Sequence, residues 1–183
     1  MATAKPITPT IGAEIQGLDL REELDVRVQA WVAEQLVKYK VIFFRDQNIS
    51  AQQHLDFARQ FGTLETHPVN PKEGFPELLV LHNNSDRPPS DTAIWHSDVT
   101  WRPQPSLGSI LIAKKVPEIG GDTLFANMEA AYDGLDDSIR AAIDERRAVH
   151  QFEPMRQYLL QTGADTQQIA KFEKKYPAVT HPI

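Results

Sequence analysis

The sequence predicts a mixed α+β domain, in which short strands and amphipathic helices follow one another without a regular repeat. Three observations support this fold class. The 183 residues are 41% apolar and 24% charged, as in ordinary globular domains. Strand-like and helix-like periods both occur, but not in the βαβ alternation of a doubly wound sheet. The sequence also lacks the glycine-rich phosphate loops and the nucleophile elbow of nucleotide-binding and hydrolase folds. We therefore expect one domain over residues 1–183.

The first elements are predicted from changes in the apolar period. Residues 11–20 alternate apolar with polar or small side chains, which indicates a strand. Residues 25–40 carry apolar side chains at three- and four-residue steps, which predicts a helix. Residues 41–44 are wholly apolar and aromatic or β-branched, which favours a buried strand.

A second helix is predicted from its ends. Ser50 and Gln53 fit a capping box, and Gly62 is a typical C-terminal residue because glycine tolerates positive φ. The side chains expected to face inward are Leu55, Ala58 and Phe61.

The later elements are predicted from shorter patterns. Residues 78–81 indicate a strand, the polar segment 83–91 a loop, and the apolar segment 107–113 a central strand. Beyond these we expect helices at 128–135 and 138–147 (the latter burying Ile139, Ala142 and Ile143), an extended segment at 148–152, and helical structure up to Tyr176.

Charge and cysteine content exclude several function classes. The net charge of −6 argues against general binding of nucleic acid, whose phosphates need a basic surface. The absence of cysteine excludes disulfides, thiolate metal sites and cysteine nucleophiles, so any metal must be held by histidine and carboxylate. The sequence shows neither a signal-peptide pattern nor a membrane-spanning apolar run. We expect a soluble protein of the cytoplasm.

The best candidate site is the sequence Trp95-His96-Ser97-Asp98. In extended backbone, residues two apart point to the same side, so the imidazole and the carboxylate converge. That pair suits a divalent first-row metal, and a second histidine would complete the facial triad of non-haem iron oxygenases. The alternative interpretation is a histidine packed beside Trp95 and hydrogen-bonded to Asp98.

A second candidate is Thr123, which follows the glycine turn at Gly120 and Gly121. Its hydroxyl could donate a hydrogen bond to the carboxylate of a small diacid. A plain turn before a strand is the alternative.

Five motifs resemble the TauD/TfdA family of iron(II)- and 2-oxoglutarate-dependent dioxygenases, and its taurine branch more than its aryloxyacetate branch. The motifs, in this order, are residues 11–20, 41–47, 61–64 followed by His67-Pro68, 95–98 and 120–124. The resemblance implies a double-stranded β-helix (a jelly-roll, cupin-like core) with flanking helices. It also implies Fe(II) as metal and 2-oxoglutarate as cosubstrate.

The resemblance further implies roles for individual residues. His96 and Asp98 would be iron ligands, and Thr123 would hold the distal carboxylate of 2-oxoglutarate. Thr92 would lie near the cosubstrate, where the taurine enzymes carry asparagine. The residues implied in substrate binding are His67, Asn70 and Trp101; Asn70 replaces a tyrosine of the taurine enzymes.

Two expected parts of this site are missing from the sequence. The family's third iron ligand, a histidine, and its 2-oxoglutarate-binding arginine come later in a longer chain. Here the later histidines, His150 and His181, match non-ligand positions, and no arginine follows Arg156. We therefore expect the double-stranded β-helix to be incomplete at its C-terminal end, with residues 1–183 as the N-terminal part of a dioxygenase domain. The alternative is a short protein that dimerises or has lost catalysis.

The implied activity is hydroxylation of a small anionic substrate (taurine, another sulfonate or a sulfate ester) with dioxygen, releasing succinate and carbon dioxide. We expect a homo-oligomer that binds neither nucleic acid nor membranes. Two alternatives remain open. One is a zinc hydrolase using His67, His96 and Asp98, and the other is a non-catalytic module for anion binding or assembly.

Overall fold

The computed structural model describes residues 1–66, 71–82, 95–161 and 163–183. The chain divides into two compact units by its internal contacts. The first unit comprises residues 1–90 and 115–131, and the second comprises residues 91–114 and 132–183. Both contain strands and helices, which confirms the predicted α+β class. The predicted loop at 83–91 lies outside the described residues.

A three-stranded sheet begins the first unit. Strand β2 (Ala13–Gln16) pairs antiparallel with β1 (Thr3–Pro6) and parallel with β3 (Ile42–Phe44). Helix α1 (Val26–Tyr39) connects the two parallel strands. The predicted strands and helix are confirmed here, although β3 is half-buried rather than fully buried.

Helix α1 has well-defined ends. The carboxylate of Asp25 accepts a hydrogen bond from the backbone N–H of Arg27, which caps the N-terminus. At the other end Lys40 has φ of 67°, a left-handed conformation that a residue with a side chain adopts at a cost. Its N–H donates to the carbonyl of Leu36, so the chain leaves the helix in a tight turn.

Helix α2 (Ala51–Arg59) begins with the predicted capping box of Ser50 and Gln53. The prediction of its inward face was partly wrong. Phe57 is buried and lies edge-on to Phe44, whereas Ala58 and Phe61 are half-buried. Phe57 is buried because it packs against Phe44 of β3, a contact that spacing along the sequence does not reveal.

A β-hairpin follows helix α2 in the first unit. Strands β4 (Pro71–Lys72) and β5 (Phe75–Leu79) pair antiparallel, so the strand predicted at 78–81 begins earlier. Arg59 of α2 forms an ion pair with Glu77 of β5 at 3.5 Å.

The buried core lies in the N-terminal part of the first unit. The buried apolar residues among those described are Ala13, Ile15, Leu20, Val32, Ile49, Leu55 and Phe57. They come from the sheet, both helices and the connecting loops. Burial of several large aliphatic and aromatic side chains accounts for most of the stability of such a unit.

The second unit consists of short elements along its later part. Helix α3 (Met128–Asp133) enters it, and α4 (Asp137–Ile143) follows. Strand β6 (Arg147–His150) pairs antiparallel with β7 (Val179–Pro182). Helices α5 (Glu153–Gln161) and α6 (Thr166–Lys175) lie between these two strands in the sequence. The predicted helices and extended segment are confirmed. The predicted burial on α4 was wrong, since Ile139 and Ala142 are exposed and Ile143 is half-buried.

The central strand predicted at 107–113 is not observed. These residues are irregular, and Leu107 and Leu111 are 77% and 72% exposed. An apolar run forms a strand only when another strand satisfies its backbone groups, and the described residues provide no such partner here.

None of the helices in the described ranges combines the length and the apolar character needed to cross a bilayer.

Candidate functional site

The predicted ligand pair lies together in the second unit. His96 and Asp98 are in irregular backbone, and the imidazole Nε2 lies 3.5 Å from the carboxylate Oδ1. Both side chains are exposed, at 69% and 55%. The predicted convergence of the two donors is therefore observed, and it places one nitrogen and one oxygen donor on the same side of the chain.

The second oxygen of Asp98 is held by a residue that sequence analysis missed. The Ser109 hydroxyl donates a hydrogen bond of 2.7 Å to Oδ2. This contact leaves Oδ1 facing His96 and fixes the carboxylate plane, as outer hydrogen bonds commonly do for metal ligands. Ser109 comes eleven residues after Asp98, a separation that carries no recognisable spacing signal.

The backbone directly after Asp98 is strained. Val99 has φ of 47°, a left-handed conformation that is a genuine outlier for a β-branched residue. The N–H of Arg102 donates to the carbonyl of Val99 at 3.1 Å and closes a tight turn. Strain of this kind costs about 1–3 kcal/mol and persists only when surrounding contacts impose it.

Two histidines of the β6–β7 pair contact this turn. His181 Nε2 lies 2.8 Å from the carbonyl oxygen of Thr100 and 3.1 Å from that of Arg102, so this nitrogen carries the proton and donates. His150 Nδ1 lies 2.9 Å from the Thr100 hydroxyl. Both histidines therefore contact backbone or hydroxyl groups of the turn. That neither occupies a ligand position stays a prediction.

Trp101 lies in an aromatic cluster. Its ring stacks on Phe152 with the ring centroids 4.4 Å apart, and it meets Tyr176 edge-on with the centroids 5.1 Å apart. Phe172 packs against both Phe152 and Tyr176. Trp101 is half-buried there. The role of Trp101 in substrate binding stays a prediction.

A cavity of about 380 Å³ adjoins this cluster, lined in part by Phe152, Phe172 and Tyr176. The charged groups at the cavity are Arg156 and Glu173, which form an ion pair at 3.1 Å. Hydrogen bonding to Glu173, with the charge of Glu153 nearby, raises the pKa of Arg156 above its usual range. Because two carboxylates already neutralise this guanidinium, the cavity presents no free positive charge on Arg156 to an anion.

Thr123 lies in the first unit, exposed and in irregular backbone. The preceding glycines both have positive φ, 78° at Gly120 and 75° at Gly121, and lie in irregular backbone directly after a bend at residues 118–119. A Cβ at Gly121 would also come within 3.2 Å of the Pro117 ring. Both positions therefore favour glycine over a residue with a side chain. The role of Thr123 stays a prediction.

Three other predicted site residues, His67, Asn70 and Thr92, lie outside the described residues. Within the described ranges, no group of three or more histidine, aspartate and glutamate side chains is arranged to hold a metal. His96 and Asp98 therefore fit two positions of a nitrogen–oxygen site for a divalent metal, and the third donor is not among the residues that the structure describes.

Comparison with known proteins gives the family. The family described as "Taurine catabolism dioxygenase TauD, TfdA family" matches residues 3–183. The chain belongs to this family.

Two curated relatives illustrate its range. An (S)-phenoxypropionate/alpha-ketoglutarate-dioxygenase of Sphingobium herbicidovorans is 33% identical over 79% of this chain and 52% of its own length. An alpha-ketoglutarate-dependent sulfate ester dioxygenase of Pseudomonas putida is 37% identical over 79% of this chain and 48% of its own. The chain spans about half the length of these relatives.

Solved structures to which this chain is similar agree with this family membership. A taurine dioxygenase from Burkholderia xenovorans superposes with a TM-score of 0.72 at 37% identity, covering 82% of this chain and 54% of that one. AAD-2 in complex with Mn(II) and N-oxalylglycine superposes with a TM-score of 0.71 at 28% identity, covering all of this chain and 63% of that one.

Proposed function

We propose that this chain carries two of the three iron ligands, His96 and Asp98, of an Fe(II)/2-oxoglutarate-dependent dioxygenase. The observation that carries the proposal is the convergence of His96 Nε2 and Asp98 Oδ1 at 3.5 Å. An imidazole and a carboxylate are the donors that non-haem iron oxygenases use on one face of the metal. Membership of the TauD/TfdA family supports iron and 2-oxoglutarate over the zinc hydrolase alternative.

When bound, Fe(II) together with 2-oxoglutarate supplies the oxidation, in which dioxygen hydroxylates a substrate carbon while succinate and carbon dioxide are released. The protein provides the positions of the reacting groups. Ser109 holds Oδ2 of Asp98, so that Oδ1 faces the side of His96. The Thr123 hydroxyl donates to the distal carboxylate of 2-oxoglutarate, and Thr92 lies near the same molecule.

The rest of the site comes from outside the residues described. Residues 1–183 form the N-terminal part of the dioxygenase domain, and its double-stranded β-helix is completed by later sequence that brings the third histidine and the arginine for 2-oxoglutarate. Two facts support this part of the proposal. The relatives are about twice as long, and the apolar segment at 107–113 has no partner strand among the described residues.

The substrate in this proposal is a small organic anion, such as taurine, another sulfonate or a sulfate ester. His67, Asn70 and Trp101 contact it. Relatives named for sulfate esters and for sulfonates support this class, and relatives named for phenoxypropionate extend it to carboxylates. The enzyme is cytoplasmic and homo-oligomeric in this proposal.

The test measures anaerobic Fe(II) binding by calorimetry and, in the protein as the cell makes it, oxygen-dependent formation of succinate from 2-oxoglutarate. His96→Ala and Asp98→Ala should each weaken Fe(II) binding at least about tenfold, because each removes a direct ligand. The control is His82→Ala, which removes an exposed histidine of the first unit. Fe(II) binding that survives both ligand variants would contradict the proposal, and so would metal-dependent hydrolysis without 2-oxoglutarate or oxygen.

A further inference from the structure

The turn that follows the ligand pair is held from one side by a two-stranded element. In the pairing of β6 with β7, Ala148 lies opposite His181 and His150 opposite Val179. Residues two apart share a face of a strand, so His150 and His181 are diagonal neighbours on the same face. Their rings meet edge-on at 5.1 Å.

This face contacts consecutive residues of the turn. His181 donates to the carbonyls of Thr100 and Arg102, and His150 contacts the Thr100 hydroxyl. Between these residues, Trp101 stacks on Phe152, two positions beyond the end of β6. Residues 100–102 are therefore each fixed by a group on or next to the strand pair.

These contacts explain how the strained backbone at Val99 is maintained. Backbone carbonyls in an irregular segment need donors, since no ladder supplies them. His181 supplies one N–H to two such carbonyls, and both lie within three residues of Val99. Val99, with φ of 47°, lies between Asp98 and these anchored residues. Contacts that hold Thr100 and Arg102 therefore act on the backbone directly after Asp98.

We propose that His181, supported by His150, is a positioning residue for the metal site: it holds the turn after Asp98 and thereby sets the direction in which the Asp98 carboxylate presents Oδ1. The carboxylate is held at two points under this proposal. Ser109 fixes Oδ2 directly, and His181 fixes the backbone from which the side chain extends. The inference rests on the proposed function, because it assigns His181 a role toward a metal bound by His96 and Asp98.

The test compares three variants of the full chain by their dissociation constant for Mn(II), followed by electron paramagnetic resonance. His181→Phe keeps a ring and removes the donor. His181→Gln keeps an N–H near the position of Nε2. His82→Phe makes the same change at an exposed histidine of the first unit and serves as the control.

We expect His181→Phe to weaken Mn(II) binding about tenfold, the usual size for loss of a group that orients a ligand. His181→Gln should stay within about twofold of the wild type, and the control should be unchanged. If His181→Gln retains Mn(II) binding that His181→Phe loses, the hydrogen bonds donated by residue 181, and not its packing, account for the effect. Equal losses in His181→Phe and His181→Gln, or none in a folded His181→Phe, would overturn the proposal.

A second measurement keeps the proposal testable if His181→Phe does not fold. Imidazole nitrogen spectra of the wild type should show the proton of His181 on Nε2. Adding Zn(II) should shift the His96 nitrogens and leave this proton in place. Loss of the Nε2 proton of His181 on adding Zn(II) would make His181 a ligand and overturn its positioning role.

Failure of this inference is distinguishable from failure of the proposed function. His96→Ala removes a direct ligand, so unchanged Mn(II) binding in that variant contradicts the metal site itself. Weakened binding in His96→Ala, together with wild-type binding in folded His181→Phe, leaves the site in place and removes His181 from it.

Discussion

The two units of the chain are held by different kinds of contact. The first contains seven buried apolar residues, from Ala13 to Phe57. In the second, none of the described residues is buried. Its local order comes from stacked aromatic rings and from directional hydrogen bonds around Thr100 and Asp98. Apolar burial is non-directional and tolerates repacking, whereas a few directional contacts fix geometry at the expense of robustness. The ligand pair lies in the unit of the second kind.

The largest expected effect tests the difference in burial. Phe57→Ala should lower the free energy of unfolding by about 3–5 kcal/mol, because it empties a packed site in the first unit. The matched control is Ile139→Ala on helix α4 of the second unit, where the side chain is 47% exposed; a change within about 0.5 kcal/mol is expected there. Urea unfolding measures both. Similar losses in the two variants would remove the contrast between the units.

A smaller effect compares the two left-handed residues, Lys40 in the first unit and Val99 in the second. Lys40→Gly should be more stable than Lys40→Ala by about 0.5–1 kcal/mol. Glycine removes the strain of positive φ, and the greater conformational entropy that glycine loses on folding offsets part of this gain. Both variants lose the ion pair of Lys40 with Glu129, so their difference isolates the backbone.

The same pair of substitutions at Val99 sharpens the comparison. Val99→Gly should gain a similar stability over Val99→Ala in urea unfolding, but it should also weaken Mn(II) binding, because the turn after Asp98 is no longer confined. Stabilisation at Lys40 together with none at Val99 would show that the second turn is not strained in solution.

The smallest expected effect concerns a pKa in the second unit. The Tyr132 hydroxyl donates to the Asp144 carboxylate, and this hydrogen bond raises the pKa of Tyr132 above its ordinary value. The stability that this bond contributes is therefore fully present below the ordinary tyrosine pKa and is lost as the pH rises through the raised value. In Asp144→Ala, an ultraviolet titration of tyrosinate should show that the pKa of Tyr132 has fallen toward its ordinary value.

Asp133→Ala is the control for that titration, since Asp133 contributes least to the shift. An unchanged Tyr132 titration in Asp144→Ala would mean that the hydrogen bond does not form in solution.

What the sequence predicts correctly is what depends on neighbours along the chain. Helix α1 has a regular apolar period, and the capping box of Ser50 and Gln53 joins residues three apart. The convergence of His96 and Asp98 likewise follows from a separation of two residues. These features need no knowledge of the rest of the fold.

Several features that the sequence did not reveal involve distant partners. The burial of Phe57 depends on Phe44, and the contacts of His181 with Thr100 and Arg102 join residues about eighty positions apart. The apolar run at 107–113 resembles a strand locally, yet a strand requires a pairing partner that periodicity does not reveal. The contacts around the predicted ligand pair are mainly of this long-range kind, so the proximity of His96 and Asp98 was easier to predict than the contacts that surround them.

The position of the buried core has a consequence for biosynthesis. All seven of its residues lie between 13 and 57, so translation delivers them before it reaches the codon for His96. Domains generally fold as units during synthesis, which adds about 5–20 residues per second. The N-terminal core can thus form within seconds of leaving the ribosome, before the residues of the predicted ligand pair have been synthesised.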